Sequence, residues 1–169
     1  GQYTFDGIGP DGVILDQSGN GNDTALGYGP PVATAQPTLD LDGSNDFVEI
    51  TSGIPTGMSQ ITIAAWINPD STGGTNAIFA NGPAGGTHGN LFSLNAGVLA
   101  FGTNGSGFQT GTTAITADTW THVAVTFDEA TDTAILYING IADAGGPITI
   151  TQDVFDAATA AIGHQEGSG

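Results

Sequence analysis

The chain has 169 residues, of which 17 are Asp or Glu and none is Lys or Arg, so its formal net charge is -17. Without cationic side chains it cannot neutralise phosphates, and this excludes nucleic-acid binding and attachment to anionic lipid. The absence of Cys excludes disulfides, and no apolar run approaches the roughly 20 residues of a membrane span, so we expect no membrane insertion.

Short strands separated by clusters of Gly, Asn, Asp, Ser and Pro follow one another along the chain. In chain order, the predicted strands are Gln2–Phe5, Thr38–Leu41, Phe47–Ile50, Ile61–Ile67, Ile78–Ala80, Leu91–Leu94, Val98–Phe101, Thr121–Phe127, Ala134–Ile138, Ile148–Thr151 and Ala160–Gly163. About a dozen strands at this spacing predict an all-β fold with two antiparallel sheets packed as a sandwich.

The clearest strands alternate in apolar character. Ile61, Ile63 and Ile67 fall on one face of their strand, whereas Trp66 falls on the other. Asn139-Gly140 predicts a tight hairpin, because both residues tolerate positive φ. An antiparallel meander from Trp120 to about Ala142 is therefore predicted. Because Trp66 and Trp120 lie in or beside strong strands, we expect both in the core, and His122 on the second face of its sheet.

Five motifs occur in order after Tyr3–Asp6, namely Leu15–Asn22, Leu41–Val48, Ile61–Ile67, Trp120–Asp128 and Leu136–Gly140. With them the chain resembles the laminin-G-like jelly roll of the concanavalin A-like lectin/glucanase superfamily over essentially its whole length. The resemblance implies one jelly-roll domain over residues 1–169, often with a structural calcium at one edge. It also implies a module that binds carbohydrate or mediates adhesion in extracellular multidomain proteins.

The C-terminal end departs from that family pattern. Family members continue after Ile162-Gly163 into a last strand, whereas this chain stops at Gly169 and opens at Gly1 rather than Met. We therefore expect a segment of a larger protein in which the last strand either follows Gly169, is disordered or is provided by another chain. The predicted open edge is at residues 158–163 beside Gln2–Phe5, where a strand of another chain could pair.

Two runs of Asp, Asn, Ser and Gly are candidates for calcium, which takes six to eight oxygen ligands. They span Asp16–Asp23 and Asp40–Asp46, and neither has the spacing of an EF-hand. The predicted ligands are Asp16, Asn20, Asn22, Asp42 and Asp46. The alternative is that these residue types only form turns.

Carbohydrate recognition needs an exposed aromatic ring and polar groups at loop tips. Tyr28, between Gly27 and Gly29, and Phe108 are the candidate rings, and His88 and Asn90 in a Gly-rich loop are the candidate polar contacts. The alternative for each is a solvated loop position without a ligand.

Glycosidase chemistry needs two carboxylates that flank the scissile bond. The three glutamates, Glu49, Glu129 and Glu166, belong to no Glu-x-Asp-x-x-Glu motif, and Asp128 and Asp132 lie in a predicted turn. We therefore expect the chain not to be an enzyme.

Two functions fit this sequence. The first is a non-catalytic adhesion or carbohydrate-binding module, stabilised by calcium and located outside the cell or at a cell or virion surface. The alternative is a structural subunit or decoration domain of an extracellular or viral assembly, which uses open strand edges for contact with another protein chain.

Overall fold

The structure, a computed structural model, describes residues 3–8, 13–16, 24–26, 38–43, 46–82, 90–103, 107–151 and 157–163. These residues form fourteen strands in two sheets, with one turn of 3-10 helix at Glu129–Thr131. The strands are β1 (Tyr3–Ile8), β2 (Val13–Asp16), β3 (Thr24–Leu26), β4 (Val48–Ile50), β5 (Gln60–Ile67), β6 (Thr75–Asn81), β7 (Asn90–Asn95), β8 (Val98–Thr103), β9 (Gly107–Ala114), β10 (Thr121–Asp128), β11 (Thr133–Ile138), β12 (Ile141–Ala142), β13 (Ile148–Thr149) and β14 (Ala160–Ile162).

The strands pair antiparallel in both sheets, which confirms the predicted jelly-roll sandwich. The larger sheet has the order β1-β2-β3-β4-β14-β6-β7-β8-β9. The smaller, five-stranded sheet has the order β12-β11-β10-β5, with β13 paired to β11. Among the residues described, no helix is long and apolar enough to cross a membrane.

The core lies between the sheets and is built from the apolar residues that alternate along the strands of both. From the larger sheet it takes Phe92, Leu94, Leu99 and Phe101, and from the smaller Val123, Val125, Phe127, Ala134 and Leu136. The rings of Phe101 and Phe127 meet across the layers with centroids 6.1 Å apart. Each Phe, Leu and Val of this layer contributes roughly 1.5–3 kcal/mol when fully removed from water, so the layer dominates the stability of the fold.

The predicted meander from Trp120 to about Ala142 is confirmed, because β10 pairs antiparallel with β11, from Val123 opposite Ile138 to Asp128 opposite Thr133, and β11 pairs with β12. On the other side of β10, all eight residues of β5 are paired, from Gln60 opposite Asp128 to Ile67 opposite Thr121. Asn139 and Gly140 have φ of 51° and 79° and turn the chain from β11 into β12. The alternating residues of β10 that face inwards are fully buried, whereas those of β5 are half-buried because β5 is the end strand of its sheet.

One predicted strand is wrong, and three observed strands, β2, β3 and β9, were not predicted. Thr38–Leu41 belongs to neither sheet, and Leu41 instead packs against the backbone of Gly163, just beyond β14. In contrast, Gly107–Ala114 forms β9, although its Gly and Thr content is typical of a turn. Its pairing with β8 supplies the order that its own residues do not specify.

The predicted open edge at residues 158–163 is also wrong. β14 is an interior strand, because Ala161 pairs with Glu49 of β4 on one side and with Ala80 of β6 on the other. The N-terminal strand β1 pairs with β2 and lies at the far end of the same sheet. Antiparallel neighbours on both sides satisfy the ladder groups of β14, so no template for a foreign strand exists there.

Candidate functional site

Among the described residues, the most exposed aromatic surface lies on the five-stranded sheet, on the side away from the core. We call this side the outer face, and its residues on the three long strands are Gln60, Thr62, Ala64, Trp66, His122, Ala124, Thr126, Asp128, Thr133, Ile135 and Tyr137. They point outwards because they alternate with the core residues of the same strands. The outer face is therefore a continuous patch that strand alternation creates.

Trp66 and His122 form one end of the outer face. They are directly opposite each other on β5 and β10, and their rings meet edge to face with centroids 5.4 Å apart at 66°. His122 is held in turn by Asn139, whose side-chain oxygen accepts from its N–H at 3.1 Å and whose own N–H donates to its carbonyl at 2.7 Å. The hairpin turn thus fixes the strand beneath the indole.

The expected burial of the two tryptophans is wrong. Trp66 is 64% exposed and Trp120, just before β10, is 49% exposed. The physical reason is the alternation of β5: because Ile61, Ile63 and Ile67 face the core, Trp66 must face outwards. The prediction that His122 lies on the second face of its sheet is confirmed. Trp66 lies on the same face, because the two residues are directly opposite each other on β10 and β5.

The other end of the outer face is a concavity of about 410 Å³ lined mainly by Thr62, Thr126 and Ile135, with Gln60 and Asp128 at its polar end. The Nε2 atom of Gln60 donates to Oδ2 of Asp128 at 2.9 Å, across the two strands. The second oxygen of Asp128 accepts from the N–H of Ala130 at 3.0 Å and caps the 3-10 helix. Both polar side chains are therefore held in fixed positions.

Asp143 is a buried carboxylate that the sequence did not single out. It follows β12 and is 5% exposed, and its Oδ1 accepts from the N–H groups of Thr112 and Gly145 at 2.9 and 2.8 Å. Its Oδ2 accepts from the N–H of Thr113 at 2.9 Å. Since Thr112 and Thr113 belong to β9, this carboxylate connects the edges of the two sheets.

Gly111 leaves room for that connection. A Cβ at Gly111 would lie 2.9 Å from the carboxylate of Asp143, closer than real contacts allow. Burial by itself raises the pKa of Asp143, but the backbone N–H groups of Gly145, Thr112 and Thr113 outweigh it and hold the pKa well below its usual range. Asp143 is thus a permanently charged structural group, not one that exchanges protons near neutral pH.

Of the predicted calcium ligands, Asp42 and Asp46 lie within the described residues, where the backbone of Asp42 contacts the carboxylate of Asp46. The N–H of Asp42 donates to Oδ2 of Asp46 at 3.4 Å across their turn. Asp16 ends β2, but its side chain, like Asn20 and Asn22, lies outside the described residues. Within the described ranges no three acidic or His side chains cluster. Because the other three side chains lie outside these ranges, Asp42 and Asp46 are the predicted ligands whose fit to calcium can be assessed. Their oxygens are the hard ligands that calcium prefers.

Two of the four predicted carbohydrate contacts lie within the described residues, both in the larger sheet. Phe108 is half-buried on β9 in the larger sheet, whereas Asn90 is 2% exposed at the start of β7. Neither amide atom of Asn90 has a hydrogen-bond partner among the described residues. Tyr28 and His88 lie outside the described residues. The sequence reasoning missed the outer face, although the parity of Trp66 already indicated it.

A laminin G-like family model, described as the concanavalin A-like lectin/glucanases superfamily, matches residues 42–169. No curated protein matches the chain by sequence. Among solved structures, a SAP-like pentraxin from Limulus polyphemus is 18% identical with a TM-score of 0.58, over 72% of this chain and 58% of the pentraxin chain.

Two further structures show the same fold. Domain 4 of an extracellular arabinanase from Geobacillus stearothermophilus, solved with arabinotriose, is 20% identical with a TM-score of 0.55, over 98% of this chain and 73% of that domain's chain. The binding domain of botulinum neurotoxin serotype C1 is 16% identical with a TM-score of 0.64, over 89% and 40% of the two chains. This chain therefore spans 58% of the pentraxin and 40% of the toxin domain. With the family match over residues 42–169 and the two-sheet sandwich, the chain belongs to the concanavalin A-like lectin/glucanase superfamily.

Proposed function

We propose that this chain is a non-catalytic carbohydrate-binding or adhesion domain of an extracellular protein, stabilised by calcium. The observation that carries the proposal is Trp66, which is 64% exposed on the outer face beside His122. This exposed ring suits a contact surface, because ligand sites are lined by aromatic rings with a few placed polar groups. The arabinanase domain of the same fold, solved with arabinotriose, supports carbohydrate as the ligand class.

The state of the carboxylates supports a non-catalytic role. Asp143 is saturated by donors and buried, and Asp128 is used by a helix cap and by Gln60. A general acid needs a raised pKa and access to substrate, whereas the pKa of Asp143 is lowered. We expect no glycosidase activity on any glycan that the domain binds, as measured by reducing-end release.

The function is tested on a glycan array with the intact chain, in calcium and in EDTA. Binding to a defined group of glycans without their hydrolysis is the expected result. An array without any bound glycan would contradict carbohydrate recognition and leave protein contact as the role of the domain.

Calcium is proposed at the turn that contains Asp42 and Asp46, where it would neutralise two carboxylates in a chain of net charge -17. Binding to the folded state alone stabilises it by about 2.7 kcal/mol at 100 times the dissociation constant. We expect calcium to raise the melting temperature of the chain, and Asp46→Asn to remove most of that increase. Asp118→Asn is the matched control, because it removes the same charge from an exposed residue outside this turn. Magnesium at the same ionic strength must stabilise less, and an unchanged melting temperature in EDTA would contradict the site.

Protein contact along β5 is the second candidate function. β5 pairs with β10 alone among the described strands, and its eight residues carry no charge. A long, uncharged edge strand is a template for a strand of another chain. Analytical ultracentrifugation in high salt, where charge repulsion is screened, tests this candidate: a monomer at every concentration would contradict self-pairing through β5.

A further inference from the structure

We propose that the outer face takes a neutral, extended oligosaccharide, with Trp66 at one end and Gln60 and Asp128 at the other. This inference rests on the proposed carbohydrate-binding function, and it adds the site and the charge class of the ligand.

The Trp66 end offers a ring face for stacking. The contact with His122 is edge to face, and Trp66 remains 64% exposed, so ring surface is available to a ligand. The apolar C–H face of a sugar ring packs on such a surface, whereas the sugar hydroxyls point sideways into water or towards polar groups. Trp66 thus supplies contact area without a specific hydrogen bond.

The middle of the outer face is low and smooth. Ala64 on β5 is directly opposite Ala124 on β10, and Ala124 is in turn opposite Tyr137 on β11. Two methyl groups between the Trp66 row and the threonine row leave a floor over which a flat ring can lie. Tyr137, half-buried, borders this floor with a phenolic group that can donate and accept.

The far end supplies several hydrogen-bonding groups. Thr62 and Thr126 are opposite each other and present hydroxyls, and the concavity of about 410 Å³ there is within the range of small-molecule sites. The carboxylate of Asp128 uses two of its roughly four acceptor positions on Gln60 and Ala130. Its free positions match donors, and sugar hydroxyls are donors.

The charge of the molecule then selects the ligand class. Asp128 is the one acidic residue of the outer face, and the whole chain has no Lys or Arg to hold a carboxylate or a sulfate. Acidic glycans are therefore repelled, and a second copy of the chain would bring another net charge of -17 to the same surface. A neutral polyhydroxyl chain carries no negative charge, so neither of these repulsions opposes its binding.

The length of the face sets the length of the ligand. Trp66 and Gln60 are six residues apart on one strand, or about 20 Å at roughly 3.4 Å per residue. A monosaccharide cannot contact both ends of such a surface. We therefore expect affinity to rise with chain length until both ends of the face are occupied.

The test uses cellotetraose, xylotetraose and arabinotetraose as neutral probes and tetragalacturonate as the acidic probe, with titration calorimetry on the intact chain. We expect a neutral probe to bind, Trp66→Ala to weaken it by about tenfold or more, and Trp66→Phe to weaken it less. Ile141→Ala is the matched control, because Ile141 is a 73% exposed apolar residue that pairs with Ile138, outside the outer face. The affinity of Ile141→Ala for the neutral probe must equal that of the unmodified chain.

A second measurement reports the contact directly. The chain has two tryptophans, so in Trp120→Phe the emission comes from Trp66 alone. A bound neutral tetrasaccharide must shift that emission and protect it from acrylamide. Unchanged emission at saturation, or full affinity in Trp66→Ala with loss in Phe108→Ala, would overturn the outer-face site while the proposed function stands. Tighter binding of tetragalacturonate would overturn the neutral class, and binding of no array glycan would overturn both proposals.

Discussion

At the scale of single residues, Asp143 illustrates how a carboxylate can be structural in a chain without any cationic side chain. Its negative charge is compensated by N–H dipoles of Thr112, Thr113 and Gly145 instead of by an ion pair. Hydrogen bonds to a charged group contribute more than neutral ones, and leaving their buried donors unpaired costs more still. This single side chain therefore stabilises the junction between β9 and the chain after β12.

We expect Asp143→Asn to lower the free energy of unfolding by about 3 kcal/mol, because the amide replaces one accepting oxygen with an NH2 group that meets another donor. Urea denaturation measures the change. Asp118→Asn removes the same charge from an exposed residue and controls for the general repulsion, so it should leave stability within about 0.5 kcal/mol. Equal effects in the two variants would contradict the role of Asp143.

The same residue predicts a pH dependence with a definite sign. The pKa of Asp143 is lowered in the folded state, so the unfolded chain binds its proton first as the pH falls. The stability that Asp143 contributes is then complete above about pH 5 and is lost progressively below it. We expect the difference in unfolding free energy between the unmodified chain and Asp143→Asn to shrink from about pH 5 to about pH 3. A difference that stays constant over this range would contradict the lowered pKa.

At the scale of strands and turns, the hairpin between β11 and β12 connects backbone conformation to the outer face. Asn139 and Gly140 take positive φ, and Asn139 anchors the strand that carries His122 beneath Trp66. A Cβ at Gly140 would meet nothing within 4 Å, so its requirement for glycine is conformational and not steric.

We therefore expect Gly140→Ala to cost about 1–2 kcal/mol, the penalty of the left-handed region for a residue with a Cβ. Gly73→Ala is the control, because Gly73 has no positive φ and its Cβ would make an ordinary contact of 3.8 Å with Ser71. Thermal unfolding of both variants gives the comparison. A loss in Gly73→Ala as large as that in Gly140→Ala would assign the effect to flexibility in general.

The elements also show what a sequence can and cannot predict. Period-2 alternation and Asn139-Gly140 were sufficient to predict the meander of β10, β11 and β12, because both signals are local. β9 escaped prediction because its order comes from β8, and the position of β14 between β4 and β6 depends on partners far away in the chain. The prediction for Trp66 was wrong for another reason. The size of its side chain suggested the core, whereas its position in the alternating pattern of β5 already indicated the outer face.

The candidate site follows the same division. The identity of the outer-face residues on β5 and β10 could be derived from alternation alone. Their exposure could not, since it depends on β5 being the end strand of its sheet and on the absence of a covering layer among the described residues. Asp143 was indistinguishable from any other Asp in a Gly-rich turn, because its donors on β9 are about 30 residues away in sequence.

At the scale of the whole molecule, charge decides both partners and stability. With 17 acidic residues and no Lys or Arg, almost every pair of charges within the fold repels, and folding brings these charges closer together. Sodium chloride should therefore raise the free energy of unfolding, because the Debye length falls from about 10 Å at 0.1 M to about 3 Å at 1 M. Since the unfolded chain carries the same charge, the gain in unfolding free energy reflects only the difference in compactness between the folded and unfolded states.

Choline chloride must act like sodium chloride if screening is the cause, and both effects should shrink near pH 4, where the carboxylates begin to gain protons. Stability that stays flat or falls with either salt at neutral pH would contradict this account, and a gain with sodium alone would indicate bound cations instead of screening.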